Sequence, residues 1–409
     1  MTQTCRHCGT KLHREFLDLG YAPPSNAYLE ASDLSAPEVT YPLRLMVCDT
    51  CFLVQTQDYT DAESLFANDY AYFSSTSKGW LTHAAHYSEM ITKRLGLGQD
   101  SFVVEVASND GYLLRNFVET GIPSLGIEPT RSTAQAAEAL GVNVLQEFFG
   151  EALALKLADD SRQADLIIGN NVYAHVPDIN DFTKGLKQLL KPDGVITLEF
   201  PHLMRLVEFC QFDTVYHEHF SYLSLGTVSR IFAAAGLRVF DVEELPTHGG
   251  SLRIYGCHSN SGHRDSDALQ RLLAEENDRG MTTPDFYENF QQRAENIKDQ
   301  LLEFLLDAKR NGKKVAAYGA AAKGNTLLNF SGVRPDLVSF VCDAAPAKQG
   351  KFLPGSHIPI FPPDMLSERH VDYVLILPWN IAAEVRSQLA GQLPDTVKFV
   401  TAVPELRLS

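Results

Sequence analysis

At 409 residues the chain is long enough for two or three domains that each bury a core, at about 150 residues per domain. Hydrophobic residues at 44% and charged residues at 21% match an ordinary globular protein and exclude disordered, collagen-like and membrane-spanning classes. Against 51 acidic side chains stand 35 basic ones, a formal net charge of −16, so long-range attraction to nucleic acid or anionic lipid is no driving force and any phosphate must meet a local site. No run of 18 apolar residues occurs, and the polar N-terminus lacks the apolar stretch of a signal peptide. A cytoplasmic protein with no membrane or nucleic-acid partner is expected.

Four of the seven cysteines form two C-x-x-C pairs, Cys5/Cys8 and Cys48/Cys51. Each pair presents two thiolates from one tight turn, and two such turns complete the tetrahedron that Zn²⁺ prefers. The 39 residues between the pairs exceed common zinc-ribbon spacing, which implies a chain excursion between the knuckles. Redox pairs or disulfides are the competing reading, and the odd cysteine count in a cytosolic setting argues against disulfides. With all four positions occupied by cysteine no ligand site is left for water, so the expected zinc is structural.

From about Ser101 short apolar runs alternate with helical periods, which predicts an α/β domain with a parallel sheet. The strands read as Phe102–Val106, Ser124–Glu128, Asn143–Leu145, Leu166–Asn170, Val195–Phe200, Leu237–Val242 and Ser251–Tyr255. Only Glu243–Gly250 separates the last two, so they should pair antiparallel at one edge. Five parallel strands ending in such a hairpin resemble the class I fold of S-adenosylmethionine-dependent methyltransferases, a doubly wound sheet.

The first strand enters the turn Glu105-Val-Ala107-Ser-Asn109-Asp110-Gly111, where the backbone can approach a bound cofactor. It lacks G-x-G-x-x-G, and acidic Glu105 and Asp110 suit the ammonium of a methionine group better than a dinucleotide's pyrophosphate. Glu128 ends the second strand about 20 residues on, where a carboxylate accepts ribose hydroxyls; an ordinary acidic cap is the bland alternative. Gln146–Phe149 could flank the adenine, with Phe148 and Phe149 equally suited to a core. The fourth strand runs into Asn170, Asn171 and His175, at the strand end where ligands sit in open α/β sheets.

Between the fifth and sixth strands lies Asp213-Thr-Val-Tyr216-His217-Glu218-His219-Phe220. His-Glu-His lacks the i, i+4 spacing of a zincin, and its alternation fits an extended run with both histidines on one face. An acid/base role is the economical reading, with Tyr216 or Glu218 orienting a ring or bonding a substrate oxygen. His248, beside Gly249 and Gly250 in the hairpin loop, could line the same cleft.

Residues 266–311 carry helical periodicity interrupted near Met281–Pro284 and read as two packed helices. Then Lys314-Val-Ala-Ala-Tyr318-Gly-Ala-Ala-Ala-Lys323-Gly-Asn325 reads as a strand feeding a helix, a turn suited to phosphate or simply to close packing. Val338–Asp343 and Tyr373–Leu377 add strands to this second, smaller Rossmann-like unit, whose ligand Lys348, Lys351 and Asn380 could reach. The expected division is a zinc-binding module at 1–70, the methyltransferase domain at 71–260, a helical connector at 261–310 and a Rossmann-like domain at 311–409.

Taken in order, the four cysteines, the E-V-A-S-N-D-G turn, Tyr216-x-Glu218-His219-Phe220, His248-Gly-Gly and Tyr318-Gly-Ala-x-Ala-Lys323-Gly resemble the sugar C-methyltransferases of deoxysugar biosynthesis, and the likeness spans the chain. The resemblance implies S-adenosylmethionine in the middle domain, held by Glu105, Ala107, Asn109, Asp110, Gly111, Glu128, Asn170 and Asn171. It implies a nucleotide-linked keto-sugar whose nucleotide part sits on the C-terminal, nucleotide-sugar-binding domain and whose sugar lies between the two domains, touched by His248, Tyr318, Lys323, Asn325 and Lys348. Its acid/base candidates are Tyr72, His175, Tyr216, Glu218 and His219; His217 stands where relatives are expected to carry an acid. The function expected is methylation of a carbon next to the sugar ketone. An O-methyltransferase is the alternative; a non-catalytic scaffold and a nicotinamide oxidoreductase rank below it.

Overall fold

The computed structural model describes residues 3–57 and 73–409. The N-terminal part is an antiparallel sheet of β1 (Arg14–Ala22), β2 (Tyr41–Val47) and β3 (Val54–Thr56). Both cysteine pairs sit on tight turns at one end of it. The Gly9 and Phe52 N–H groups close these turns onto the carbonyls of Cys5 (2.9 Å) and Cys48 (3.0 Å).

The middle part alternates as its sequence predicts: α1 (Lys78–Leu95), β4 (Val103–Val106), α2 (Leu114–Glu119), β5 (Ser124–Ile127), α3 (Arg131–Ala139), β6 (Val144–Leu145), α4 (Glu151–Asp159), β7 (Ala164–Asn170), α5 (Ile179–Leu189) and β8 (Leu190–Pro201). After β8 come α6 (Leu203–Glu208), the two-residue β9 (Ser221–Tyr222), α7 (Leu225–Ala234), β10 (Leu237–Leu245) and β11 (Ser251–His258). The sheet order is β10-β11-β8-β7-β4-β5-β6. β11 runs antiparallel to both β8 and β10, so the hairpin closes one end of an otherwise parallel sheet. Leu166, Ile167 and Ile168 of β7 are all fully buried because helices cover both faces. The order reverses between β4 and β7, which opens a ligand crevice beyond their carboxyl ends.

β9 does not join this sheet. It pairs antiparallel with β3 and becomes the fourth strand of the N-terminal sheet. The segment carrying Tyr216–Phe220 is thereby anchored at its far end to the cysteine-bearing module.

Two helices follow, α8 (Asp267–Asp278) and α9 (Phe290–Arg310), and they attach to different neighbours. α8 lies on α7 and β10, whereas α9 turns its buried stripe of Phe290, Ala294, Ile297, Leu301 and Leu305 inward and packs on β1. The Phe290 ring stacks on Phe16 at 4.6 Å. The last part comprises β12 (Val315–Tyr318), α10 (Ala322–Phe330), β13 (Val341–Cys342), β14 (Ile360–Phe361), β15 (Tyr373–Ile376), β16 (Lys398–Thr401) and β17 (Arg407–Leu408), ordered β14-β13-β12-β15-β16-β17 and parallel except for β17. No helix among the described residues is long and apolar enough to cross a membrane.

Candidate active site

At the carboxyl end of β4 the chain turns through Ala107, Asn109 and Gly111 with φ of 56°, 50° and 76°. For alanine that conformation is strained, and such strain collects at functional sites. Glu128, just past β5, holds the turn in place: its two oxygens accept the backbone N–H groups of Asn109 and Thr130, each at 2.9 Å. Asn109 Oδ1 and Asp110 Oδ2 accept the N–H groups of Ser74 and Ser75, each at 3.0 Å, which folds the segment before α1 onto the turn.

The polar atoms left over are buried. Oδ1 of Asp110, Oγ of Ser108 and both amide atoms of Asn170 carry no hydrogen bond among the described residues, and Glu105 is met by the Tyr112 side chain. Burial, reinforced by the Glu128 and Asp110 carboxylates, holds Glu105 well above the ordinary carboxylate range. A cation placed there would let it ionise. These residues therefore fit S-adenosylmethionine, which brings an ammonium and two ribose hydroxyls to such acceptors. Gly111 is also closely packed: a Cβ there would lie 3.0 Å from Ala137 of α3, so both its φ and the neighbouring helix favour glycine. Of the two rings expected beside the adenine, Phe149 packs edge-on against Phe182 and Phe148 is exposed.

Beyond β7, Asn171 Nδ2 lies 3.2 Å from His248 Nε2, and both residues have φ of 54°. His175 and His219 are brought together, their rings 4.6 Å apart and edge-on, with the Tyr216 ring 4.0 Å from His219. Nδ1 of His175 donates to the Glu218 carbonyl (2.8 Å) and Nδ1 of His219 to the Thr214 carbonyl (3.1 Å). Each bond leaves the ring's lone pair on Nε2. Burial pushes His175 down to about 4 and His219 well below its ordinary value, the latter aided by the charges of His175, His248 and Lys323. Two neutral imidazoles thus stand side by side beyond the end of β7.

The segment between them departs from the extended run that its alternation suggests. The His219 N–H closes on the Tyr216 carbonyl at 3.0 Å, making a reverse turn that sends its histidines apart. His217 is buried with its ring 6.0 Å from Tyr41 of β2, while His219 faces His175. Glu218 points its carboxylate at Asn26 Nδ2, at 3.0 and 2.9 Å. Tyr72 lies outside the described residues.

From the C-terminal part Lys323 enters the cleft. Its Nζ donates to Asn380 Oδ1 at 2.8 Å and lies 4.9 Å from the centre of the Trp379 ring. Trp379 Nε1 donates to Asp213 Oδ2 at 2.7 Å, and burial raises that fully enclosed carboxyl to about 6. Burial likewise pushes His248 down to about 4, with Lys323 adding to it. The other C-terminal candidates are placed differently. Asn325 donates to the Ser25 carbonyl at 2.6 Å, Lys348 to the Ala320 carbonyl at 2.8 Å, and Tyr318 lies in the sheet core with Phe340 and Ile376.

In the cysteine cluster Cys5 and Cys51 lie 3.5 Å apart, as do Cys8 and Cys48, and all four Sγ atoms fall within 4.8 Å of one another. A disulfide would need about 2.05 Å. Four thiolates at about 2.3 Å from a tetrahedral zinc stand roughly 3.8 Å apart, which the cluster matches.

Sequence reasoning passed over Asp213 and Trp379, whose indole–carboxyl bond joins positions 166 residues apart. It also missed Glu199, which is fully buried and held by His83 (2.9 Å), Arg253 (3.0 Å) and the Thr247 hydroxyl (3.0 Å). Its place near the carboxyl end of the fifth strand was the available signal.

Three family descriptions match the chain: "Putative zinc binding domain" over residues 5–66, "Methyltransferase domain" over 81–242 and "C-methyltransferase C-terminal domain" over 246–404. C-methyltransferase NovU of Streptomyces niveus is 34% identical over 407 residues, 99% of this chain and 96% of its own length. An uncharacterized methyltransferase of Mycobacterium leprae is 28% identical over 99 residues, 24% of this chain and 36% of its own. Among solved structures, the 1,6-didemethyltoxoflavin-N1-methyltransferase of Burkholderia thailandensis aligns with a TM-score of 0.38 at 16% identity, covering 51% of this chain and 96% of that one.

Proposed function

This chain belongs to the S-adenosylmethionine-dependent C-methyltransferases, and from that premise we propose that it methylates the carbon next to the ketone of a nucleotide-linked keto-deoxysugar, with His219 as the base. The observation that carries the reading is the pair of neutral imidazoles, His219 buried and His175 half-buried, beyond the carboxyl end of β7. A sugar carbon becomes a nucleophile only when its proton is taken and the adjacent carbonyl holds the charge, so the site needs an empty base and an oxygen-stabilising donor.

S-adenosylmethionine, held by Glu105, Asp110, Asn170 and Glu128, supplies an electrophilic methyl on a cationic sulfur when bound. His219 Nε2 takes the proton from the carbon, and the bonding pair moves onto the carbonyl oxygen. The hydrogen bond from Nδ1 to the Thr214 carbonyl keeps the ring in the accepting tautomer and steadies the imidazolium that forms. The phenol of Tyr216, beside the same ring, is the donor for the enolate oxygen, and His175 completes the wall of the cleft. Lys323 and His248 line the side from which the nucleotide-bearing end of the substrate enters.

Replacing His219 by Gln tests the assignment. Cofactor affinity should stay near wild type while methyl transfer falls by about two to four orders of magnitude, the usual contribution of a general base. Wild-type protein in D₂O should also exchange the sugar hydrogen without turnover, and the variant should not. Methylation by the variant at the native rate would sink the base; a product whose new methyl signal is a methoxy would sink transfer to carbon.

A further inference from the structure

Arg6 stands between the two ligands of the first cysteine knuckle, and its guanidinium reaches out of the module. One terminal nitrogen donates to the Pro177 carbonyl at 2.7 Å, the other to the Thr56 carbonyl at 3.2 Å, and the group lies 5.3 Å from the centre of the Phe220 ring. Pro177 follows His175 by two residues. Phe220 follows His219 directly, and the Thr56 N–H binds the Phe220 carbonyl at 3.1 Å, just where β3 pairs with β9. The two stretches that carry the imidazoles are far apart in sequence and meet on one side chain.

That side chain is itself fixed by the cysteine cluster. The Arg6 N–H donates to Gln55 Oε1 at 2.9 Å, and Gln55 Nε2 donates to Cys5 Sγ at 3.2 Å. One partner is the Pro177 carbonyl, two residues past His175, and the other is the Thr56 carbonyl, whose own N–H binds the Phe220 carbonyl beside His219, whereas simple docking of one lobe on another would be served by contacts anywhere on the interface. We propose that Arg6 is a positioning residue: the knuckle fixes its guanidinium, and the guanidinium sets the separation and angle of His175 and His219. The inference rests on the reading of these histidines as the acid/base pair, and the experiment keeps the two apart.

Arg6→Ala and Arg6→Lys are compared in the full-length, zinc-loaded protein. Lysine keeps the charge and the stem over Phe220 but bonds one carbonyl at a time. Zinc content, S-adenosylmethionine affinity by titration, the imidazole ¹H–¹⁵N signals of His175 and His219, and kcat are measured on each. With zinc and cofactor affinity within twofold of wild type, the alanine variant should shift both histidine signals and lower kcat by about 10- to 100-fold, the scale of an ångström of misplacement; lysine should recover part of both. Unmoved histidine signals, or a wild-type kcat, overturn the proposal. Should the alanine variant lose its zinc, the lysine variant decides on the same readouts. Shifted signals in an enzyme whose His219→Gln form still turns over normally would uphold the positioning and reject the base.

Discussion

Gly249 offers a direct probe of whether the lobes must close for catalysis. Its φ is 88°, and a Cβ there would lie 2.4 Å from Cη2 of Trp379 and 2.8 Å from Nε2 of Gln211. Carbon atoms in contact stand about 3.5–4.0 Å apart, so Gly249→Ala forces an overlap of about 1 Å against an indole from the opposite lobe. The left-handed backbone costs alanine about 1–2 kcal/mol, and the overpacking about 1–3 kcal/mol, giving about 2–5 kcal/mol in all. The indole holds Asp213, and Asp213 precedes Thr214, whose carbonyl holds the His219 ring. Displacing the indole therefore lowers turnover as well as stability. Urea denaturation followed by circular dichroism and steady-state turnover measure the two effects. Trp379→Ala removes the nearer obstacle but leaves Gln211 and the backbone strain, so the double variant should be less destabilised than the sum of the singles by about 1–3 kcal/mol. A Gly249→Ala protein with the wild-type midpoint and turnover, or strict additivity with Trp379→Ala, would refute the packed interface.

The remaining expectations concern protons and metal. Because burial holds His219 below its ordinary value, kcat/KM should stay level as pH falls through 6.5, with its acid limb only at lower pH; a limb centred at 6.5 would show an exposed, ordinary imidazole. His175 and His248 refuse protons until about pH 4, whereas the unfolded chain takes them up from about 6.5, so these two groups cost stability as pH drops between those values and nothing above. Asp213, raised to about 6, acts in the opposite sense between about 4 and 6. The stability difference between wild type and a His175→Gln/His248→Gln protein should therefore be constant above pH 7 and shift in the variant's favour on acidification; a difference independent of pH throughout would contradict it. Stripping zinc with a strong chelator should lower thermal stability and release one metal per chain, with Cys48→Ser reproducing the loss; an unchanged melting curve after complete removal would reject the structural role of the cluster.

What could be read from the sequence was local. Strand, turn and acid in Glu105–Gly111 and Glu128 follow from short-range periodicity, and the Pro and Gly residues of 243–250 announce a hairpin, which the structure contains. The cysteine pairs carry their geometry within four residues each. The reverse turn at Tyr216–His219 escaped because alternating residues fit a strand equally well, and only the two-residue β9 at its end, too short to leave a pattern, fixes its path. Lys323 was legible as a cation after a strand, but whether it faced an open phosphate site or the histidines depended on how two sheets dock. The same holds for Asp213, a lone acid in sequence and a buried partner of Trp379 in space.

That docking has a chemical rationale. An imidazole can serve as a base toward carbon only if it reaches the substrate unprotonated, and burial extends that state of His219 to lower pH. Yet a ring shut inside one rigid domain would not meet the nucleotide-linked sugar proposed as its substrate. Placing the histidines in a cleft walled by three lobes answers both demands: the middle sheet presents the cofactor corner, Asn26 of the N-terminal sheet backs Glu218, and Trp379 with Lys323 closes from the C-terminal sheet. On this reading substrate entry and base depression are coupled, because any opening that admits the sugar also admits water and raises the imidazole pKa toward 6.5. Mutations that loosen the Trp379–Asp213 contact should thus move the acid limb of kcat/KM upward in pH as well as lower its plateau. A purely mechanical hinge would lower the plateau alone.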